Sequence, residues 1–392
     1  MLKKIKIYNF FSIVVIVFLV YFTYRSMQGM GFDIVTESSW SAITKLAIVV
    51  MAIVVMIISK NSAQTNFTIL WYIWCIWLFI LFFVFGLRGN GISNILSVTF
   101  CPMSFIFFYV ISLYSDKITQ IAFIGFLSLY IITLYLIILN LTTIFEVKIG
   151  DENSVTNLIY WSLCTLPILL ISKKRWITPI VIGITFIIVL LTGKRTATIA
   201  IALIILVYTI NVMKNRFSIK TILGVIVLFI IFIYLVNTYF QNTYIGVIER
   251  LSNISEDEGS GRIPLYIDVF KVMENNTFID WLLGRGYGSI LITKHSNAHN
   301  DALQMLFEYG IVGLIVYIIM CFYVIRRMLI LRGKKSKYYL GYASSVIITV
   351  LLGLTSNLFV FYSYFSFLCA FWGIIEAKMV QSKSVKTLLI RI

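Results

Sequence analysis

Residues 67–85 read FTILWYIWCIWLFILFFVF and contain no charged side chain. A helix needs about 20 apolar residues to cross the hydrocarbon core of a bilayer, and this stretch is long enough. It therefore predicts a membrane-spanning helix and makes the bilayer the expected solvent of the chain.

The rest of the chain has the same apolar character. Of its 392 residues, 60% are apolar and 12% are charged, and the mean hydropathy is +0.97. A soluble domain is nearer to about half apolar and a quarter charged. This composition excludes a water-soluble enzyme, a disordered protein and a collagen-like fibre.

Twelve apolar stretches of this kind predict an all-α polytopic membrane protein with about 12 transmembrane helices. Three parts follow: helices one to nine over 1–240, a large hydrophilic loop over 241–302, and helices ten to twelve with a cytoplasmic tail over 303–392. The predicted spans are 5–24, 41–58, 67–85, 92–114, 118–139, 155–171, 176–192, 196–213, 219–240, 303–325, 339–355 and 358–377.

The charges alternate as this arrangement requires. With the N-terminus in the cytoplasm, 21 of the 32 lysines and arginines but only two of the 16 acids fall inside. Cytoplasmic loops are enriched in Lys and Arg, and a wrong number of spans would scramble the pattern. We therefore expect both termini inside and the large loop outside the cytoplasm.

The cysteines and histidines do not predict a metal site. The five cysteines all lie in apolar runs, without the spacing of a disulfide framework or a zinc site. The two histidines, His295 and His299, are four residues apart, but a zinc protease motif needs Glu at position 296, where Ser296 stands. We expect neither a metal nor another cofactor.

The large loop is too long to be a passive connector. Within it, Leu265, Val269, Val272 and Met273 share one face of a predicted helix that lies on the membrane surface or on the bundle. Arg262 near its start suits an anionic group such as phosphate. An ion pair with the acidic run 256–258 is the equally weighted structural alternative.

Three ionisable residues lie where a membrane protein usually avoids them. Lys194 and Arg195 stand between the seventh and eighth spans with almost no loop around them, on the side that disfavours positive charge. Such residues usually face a cavity or the bundle interior, although they could also extend to lipid headgroups. Glu308, in the first turns of the tenth span, needs a partner such as Arg195 or Arg262, or has a chemical role.

His299 stands where the loop meets the tenth span. An imidazole can take or give a proton near neutral pH, so His299 is a candidate acid or base. A structural histidine at the membrane interface is the alternative of equal weight.

Three pieces of the chain together resemble the O-antigen ligase and O-antigen polymerase (Wzy-type) superfamily of bacterial envelope enzymes. They are 191–197 (LTGKRTA), the loop elements 260–262 (SGR) and 283–288 (LGRGYG), and the block 297–314, which begins NAHNDAL and ends EYGIVGL. Members of the superfamily often carry a first histidine where this chain has Asn297, so His299 is the histidine expected to act in the mechanism. From the residues alone, the turn with Gly284, Gly286 and Gly288 is interpreted as a tight turn, not a nucleotide-binding loop.

The resemblance implies a glycosyltransferase whose donor is a glycan on undecaprenyl diphosphate. His299, Arg195 and Arg262 are then expected to be catalytic. The arginines would stabilise the leaving diphosphate, and His299 would take the acceptor's proton or bind the diphosphate. The residues expected to bind substrate are Lys194, Asn300, Glu308 and Arg285.

The preferred function is a polysaccharide polymerase of the bacterial plasma (inner) membrane that acts in O-antigen, capsule or exopolysaccharide synthesis. Its expected partners are the lipid-linked oligosaccharide, membrane lipids, a chain-length regulator and a flippase, but no nucleic acid. An O-antigen ligase that transfers glycan to a lipid A core is the alternative within the family. A flippase for lipid-linked oligosaccharide is the alternative from another class, which the scarcity of acids within the spans disfavours.

Overall fold

The computed structural model describes residues 2–28, 39–58, 65–85, 91–115, 117–139, 157–172, 176–192, 194–215, 258–294, 297–359 and 361–389. These residues form fourteen helices and no strand. The helices before the large loop are α1 (Leu2–Gln28), α2 (Ser39–Ile58), α3 (Asn66–Phe85), α4 (Gly91–Tyr114), α5 (Ile118–Leu139), α6 (Leu158–Leu169), α7 (Ile177–Thr192) and α8 (Arg195–Asn215). The later helices are α9 (Glu258–Met273), α10 (Phe278–Leu283), α11 (Ser289–Lys294), α12 (Asp301–Gly333), α13 (Tyr339–Thr355) and α14 (Tyr362–Leu389).

Five of the described helices, α4, α5, α8, α12 and α14, are long and apolar enough to cross a membrane. Shorter apolar segments of 10–17 residues lie in α1, α2, α3, α6, α7 and α13. The predicted all-helical membrane fold is therefore confirmed. The number of twelve spans and their orientation stay predictions. The ninth span, 219–240, and the loop residues 241–257 lie outside the described residues.

The core is centred on α14 and α4, which pack closely along each other. Gly373 of α14 is pressed against the backbone of Phe105 in α4, so any larger side chain there would overlap it. Trp71 stacks on Phe105, and the Phe67 ring contacts both of them and the buried Trp372. On the periphery, α12 exposes a stripe that includes Ile311, Ile315 and Phe322. In a bilayer this stripe faces lipid.

Helix α12 is broken near its start, which the sequence did not predict. Gly310 has φ 68° and ψ −171°, so the regular helix is interrupted there. The carbonyls of Phe307 and Glu308 instead accept hydrogen bonds from the backbone N–H groups of Arg285 and Gly286, at 3.0 and 2.9 Å. The glycine-rich turn of the loop therefore replaces the hydrogen bonds that α12 loses at its break.

That turn is as tight as predicted. Gly284, Gly286 and Gly288 all have positive φ, a conformation that glycine adopts without steric cost. A Cβ atom on Gly284 would overlap the backbone of Glu308. The interpretation as a tight turn is thereby confirmed.

Helix α9 carries the predicted apolar face, and that face lies on protein. Val269 and Met273 are fully buried in a small core with Ile290 of α11 and Phe307 of α12. The helix begins at Glu258, the last residue of the acidic run, and it includes Pro264. The part of the loop that the structure describes is thus fastened to the beginning of α12.

Candidate functional site

The predicted site residue Asn300 begins α12. It is the N-cap of the helix, in an extended conformation, and its side-chain oxygen accepts the Leu303 N–H at 3.1 Å. An N-cap of this kind satisfies one of the helix's otherwise unpaired N–H groups. The contact is structural, and it fixes the backbone directly beside His299.

His299 is held in an unusual conformation. Its φ is +50°, in the left-handed region that non-glycine residues seldom adopt. Its carbonyl accepts a hydrogen bond of 3.3 Å from the Tyr266 hydroxyl, which joins it to α9. A non-glycine residue keeps this left-handed conformation only where the surrounding structure stabilises it, and such residues are frequent at functional sites.

A buried network stabilises the segment that carries His299. The amide nitrogen of Gln304 donates to the carboxylate of Glu308 at 2.9 Å and to the side-chain oxygen of Asn297 at 3.3 Å. Its amide oxygen accepts the Ala298 N–H at 3.1 Å. Glu308 thus has Gln304 as a partner, where the sequence suggested an arginine. Gln304 was missed, although its position four residues before Glu308 on a helix could have indicated the pair.

Arg285, expected to bind substrate, has an extensive set of contacts within the protein. Its Nε donates to the Asn276 side-chain oxygen at 2.8 Å, and its Nη2 donates to the Val272 carbonyl at 3.3 Å. The guanidinium also lies over the Phe307 ring, 5.5 Å from its centroid. These contacts favour a structural role that joins α9, the glycine-rich turn and α12.

Lys194 and Arg195 lie at the start of α8, and both are half-buried. The Lys194 carbonyl accepts hydrogen bonds from the Thr198 N–H and hydroxyl, both at 3.0 Å. The next residue after Arg195, Thr196, shares a hydrogen bond of 2.9 Å with Thr355 at the end of α13. The cationic start of α8 is therefore attached to the connection between α13 and α14.

Arg262 approaches the same connection from the loop. It lies one turn before Tyr266 on α9, so both residues share the face turned towards His299. Its guanidinium is near enough to the Tyr160 hydroxyl to interact with it electrostatically. Tyr160 in turn accepts a hydrogen bond of 3.1 Å from Ser356, which begins the α13–α14 connection. Elements that carry both arginines and His299 thus meet at one end of the bundle.

Two buried polar residues at this meeting point were missed by the sequence reasoning. Asp301 accepts the Phe359 N–H at 3.1 Å through Oδ1, while its Oδ2 has no hydrogen-bond partner among the described residues. Asn357 is fully buried with φ +55°, and within the same residues neither its amide oxygen nor its nitrogen has a partner. Buried polar groups are normally hydrogen-bonded, and these two residues are among the buried polar side chains of the described residues that have an unpaired atom.

Seven residues at this meeting point form what we call the helix-end cluster: Tyr160, Arg195, Arg262, His299, Asp301, Ser356 and Asn357. Two features of the sequence could have indicated the missed residues. Asp301 lies inside the His299 motif, and Asn357 interrupts the last apolar run.

A buried lysine of α2 contacts the first residue of α14. The ammonium of Lys45 donates to the Ser97 hydroxyl at 2.6 Å and lies over the Tyr362 ring, 3.9 Å from its centroid. Its side chain is fully buried between α2, α4 and α14. A lysine inside a predicted span could have been recognised from the sequence, because ionisable residues within membrane helices are rare and usually have a role.

In the part of the chain that the structure describes, no three His, Cys, Asp or Glu side chains form a group that could hold a metal ion. His295 lies outside that part.

The fold and the helix-end cluster define a multi-pass membrane protein that gathers ionisable side chains at one end of its bundle. Residues 180–318 match the family model described as O-antigen ligase. The matched region contains the start of α8, the loop helices and the break in α12. The match confirms the resemblance to the O-antigen ligase and polymerase superfamily that was seen in the sequence. It supports a glycan-handling, glycosyl-transferring enzyme of the cell envelope. No curated protein matches the chain significantly.

Proposed function

We propose that this protein is a polysaccharide polymerase of the bacterial plasma membrane. It transfers a glycan from undecaprenyl diphosphate onto a lipid-linked repeat unit at the outer face, in the synthesis of O-antigen, capsule or exopolysaccharide. The observation that carries the proposal is the helix-end cluster, which joins elements bearing Arg195, Arg262 and His299 within the region matched to the family.

The chemistry needs no more than these groups can supply. A hydroxyl oxygen of the acceptor sugar attacks the anomeric carbon of the donor, and the bond from that carbon to the diphosphate oxygen breaks. The hydroxyl proton passes to His299, and undecaprenyl diphosphate leaves with the bonding electrons. Negative charge develops on the diphosphate, and two guanidinium groups placed beside it lower the barrier.

The arrangement of the loop supports these roles. Tyr266 anchors His299 to α9, one turn from Arg262, so the proposed base and one proposed diphosphate ligand are joined through the same helix. Arginine suits a diphosphate because its planar fork can bind two oxygens at once. Lys194 adds a second cation at the start of α8, next to Arg195.

The proposal is tested in a deletion strain that expresses each variant. His299→Ala, Arg195→Lys and Arg262→Lys should abolish surface polymer while single lipid-linked repeat units accumulate. Loss of a general base typically lowers the rate by about 10²–10⁴-fold. His295→Ala is the matched control and should make polymer. The readout is a gel of surface glycan beside an immunoblot of the protein, and full-length polymer from His299→Ala at normal expression would remove His299 from the mechanism.

A second function is favoured by the match to the O-antigen ligase family. A ligase uses the same donor but transfers its glycan to a lipid A core. The two are separated by giving the purified full chain a lipid-linked glycan together with either a second lipid-linked repeat unit or a lipid A core. Product with the repeat unit alone supports the polymerase, and product with the core alone supports the ligase.

A further inference from the structure

The loop helices expose large apolar side chains. On α9, Ile263, Ile267 and Phe270 are 54, 50 and 52% exposed, and their spacing of four and three residues places them on one helical face. On α10, Phe278 and Ile279 are 79 and 59% exposed. A helix in contact with water would carry polar residues at these positions.

This exposed surface is distinct from the face that packs on protein. Val269 and Met273 already bury the inner face of α9 against α11 and α12. The polar side of α9 is provided by Asp268 and Lys271, whose side chains are 51 and 67% exposed. The helix therefore has an inner apolar face, an outer apolar face and a narrow polar strip.

The exposed surface continues the lipid-facing stripe of α12. Helix α10 packs on the break in α12, where a side chain on Gly310 would overlap the Leu282 carbonyl. Leu282 is 39% exposed, and directly beyond the break Ile311 and Ile315 are 42 and 50% exposed. On α10, the Asp280 carboxylate is engaged in a capping box with Thr277.

We infer that the exposed surface of the loop helices is seated in the bilayer interface beside the start of α12. This loop apolar face consists of Ile263, Ile267, Phe270, Phe278, Ile279 and Leu282. Lipid is the occupant because the face runs into a stripe that a spanning helix must present to lipid. Helices with an apolar face in the headgroup region and a charged strip towards water are typical of interfacial membrane binding.

The placement of α9 in the bilayer interface determines how deep Arg262 lies in the membrane. Arg262 and Tyr266 lie on the inner side of α9, so a helix seated in the interface holds the guanidinium at the level of the lipid headgroups. A diphosphate attached to a lipid lies at that level. The inference itself rests on the exposure pattern and not on the proposed function, and its test requires no catalysis.

The test measures membrane depth in the full chain. One cysteine at a time is added to the native chain, at Ile267, Phe270 or Ile279, and is nitroxide-labelled after reconstitution into vesicles of phosphatidylethanolamine and phosphatidylglycerol. Cysteines at Asp268 and Lys271 are the matched controls on the same helix. The unsubstituted chain provides the blank, because four of its five cysteines are buried.

Labels on the loop apolar face should be relaxed strongly by oxygen, which concentrates in lipid, and weakly by a water-soluble nickel chelate. The two control labels should show the reverse. Strong relaxation of the face labels by the nickel chelate would overturn the inference in favour of a water-exposed loop. Protection of the face labels from both reagents would overturn it in favour of a protein partner.

Discussion

The amide nitrogen of Gln304 donates to the carboxylate of Glu308 at 2.9 Å, one helical turn further along α12, and both side chains are fully buried. Gln304 also holds Asn297 and the backbone of Ala298. The pair is therefore one of the contacts that hold the segment with His299, beside those of Tyr266 and Asn300. A carboxylate this deep needs such partners, because an unpaired buried charge is costly.

Replacing Glu308 with Gln should leave stability close to that of the unsubstituted protein, because a side-chain oxygen can still accept the Gln304 hydrogen bond. Glu308→Leu removes that acceptor and should lower the free energy of unfolding by about 1–3 kcal/mol. Thermal unfolding of the purified full chain in detergent measures both. A stable Glu308→Gln variant without polymer would instead show that the carboxylate has a chemical role.

Substitution of the glycines at and near the α12 break by Ala should destabilise the protein to different degrees. Ala at Gly284 or Gly310 meets both a positive φ and overlap with backbone atoms, so little folded protein is expected. Gly288 has φ +74° but nothing within 4 Å of an added Cβ atom. Gly288→Ala should therefore show only the cost of the backbone conformation, on the order of 1–3 kcal/mol.

Gly333→Ala is the control, since Gly333 lies in α12 with open space around it. It should be neutral or slightly stabilising. The measurement is the yield of monodisperse protein by fluorescence-detected size exclusion, followed by thermal unfolding. Equal yields for the Gly310 and Gly333 variants would show that the break in α12 is not required.

Substitutions of Arg262 and Arg285 should have different effects, one on activity and the other on stability. Arg285→Ala loses hydrogen bonds to Asn276 and Val272, so it should lower the melting temperature. Arg262→Lys should lower polymer synthesis without a comparable loss of stability, because the proposed contact is with the substrate. Melting curves and glycan gels are compared for the two variants. A stable Arg285→Ala variant that makes no polymer would return Arg285 to the substrate-binding group.

The sequence predicted the helical membrane architecture because long apolar runs in a bilayer leave few alternatives to a helix. It also indicated a candidate site, since Lys194, Arg195 and Glu308 are conspicuous against an apolar background. The break at Gly310 could not be foreseen. It depends on hydrogen bonds donated by Arg285 and Gly286, about two dozen residues earlier in the chain, and no periodic pattern encodes such a contact.

The contacts of individual candidate residues could not be predicted from the sequence. Arg285 and Asn300 have the chemistry of ligands for an anion or a sugar, but the structure gives them contacts with Asn276 and the Leu303 N–H. Residue type shows which interactions are possible, whereas the partner depends on tertiary packing. Asn357 was missed for the same reason, because its isolation from partners is a property of the folded chain.

Substitution of Asn357 should show whether its side chain supports the fold or binds substrate. Its buried amide has no partner among the described residues and its φ is +55°, so the residue contributes little to stability. Asn357→Gly relieves the backbone and removes the unsatisfied amide, and it should unfold at the same temperature as the unsubstituted protein or higher. If the amide binds a sugar hydroxyl in the proposed reaction, the same variant should make less polymer, by about tenfold for a lost hydrogen bond of 1–1.5 kcal/mol. Thermal unfolding and the rate of glycan transfer are measured on one preparation, with Ser356→Ala as the neighbouring control that loses the Tyr160 contact. Normal transfer by a stabilised Asn357→Gly variant would exclude the amide from substrate binding, and a destabilised variant would show that the amide supports the fold.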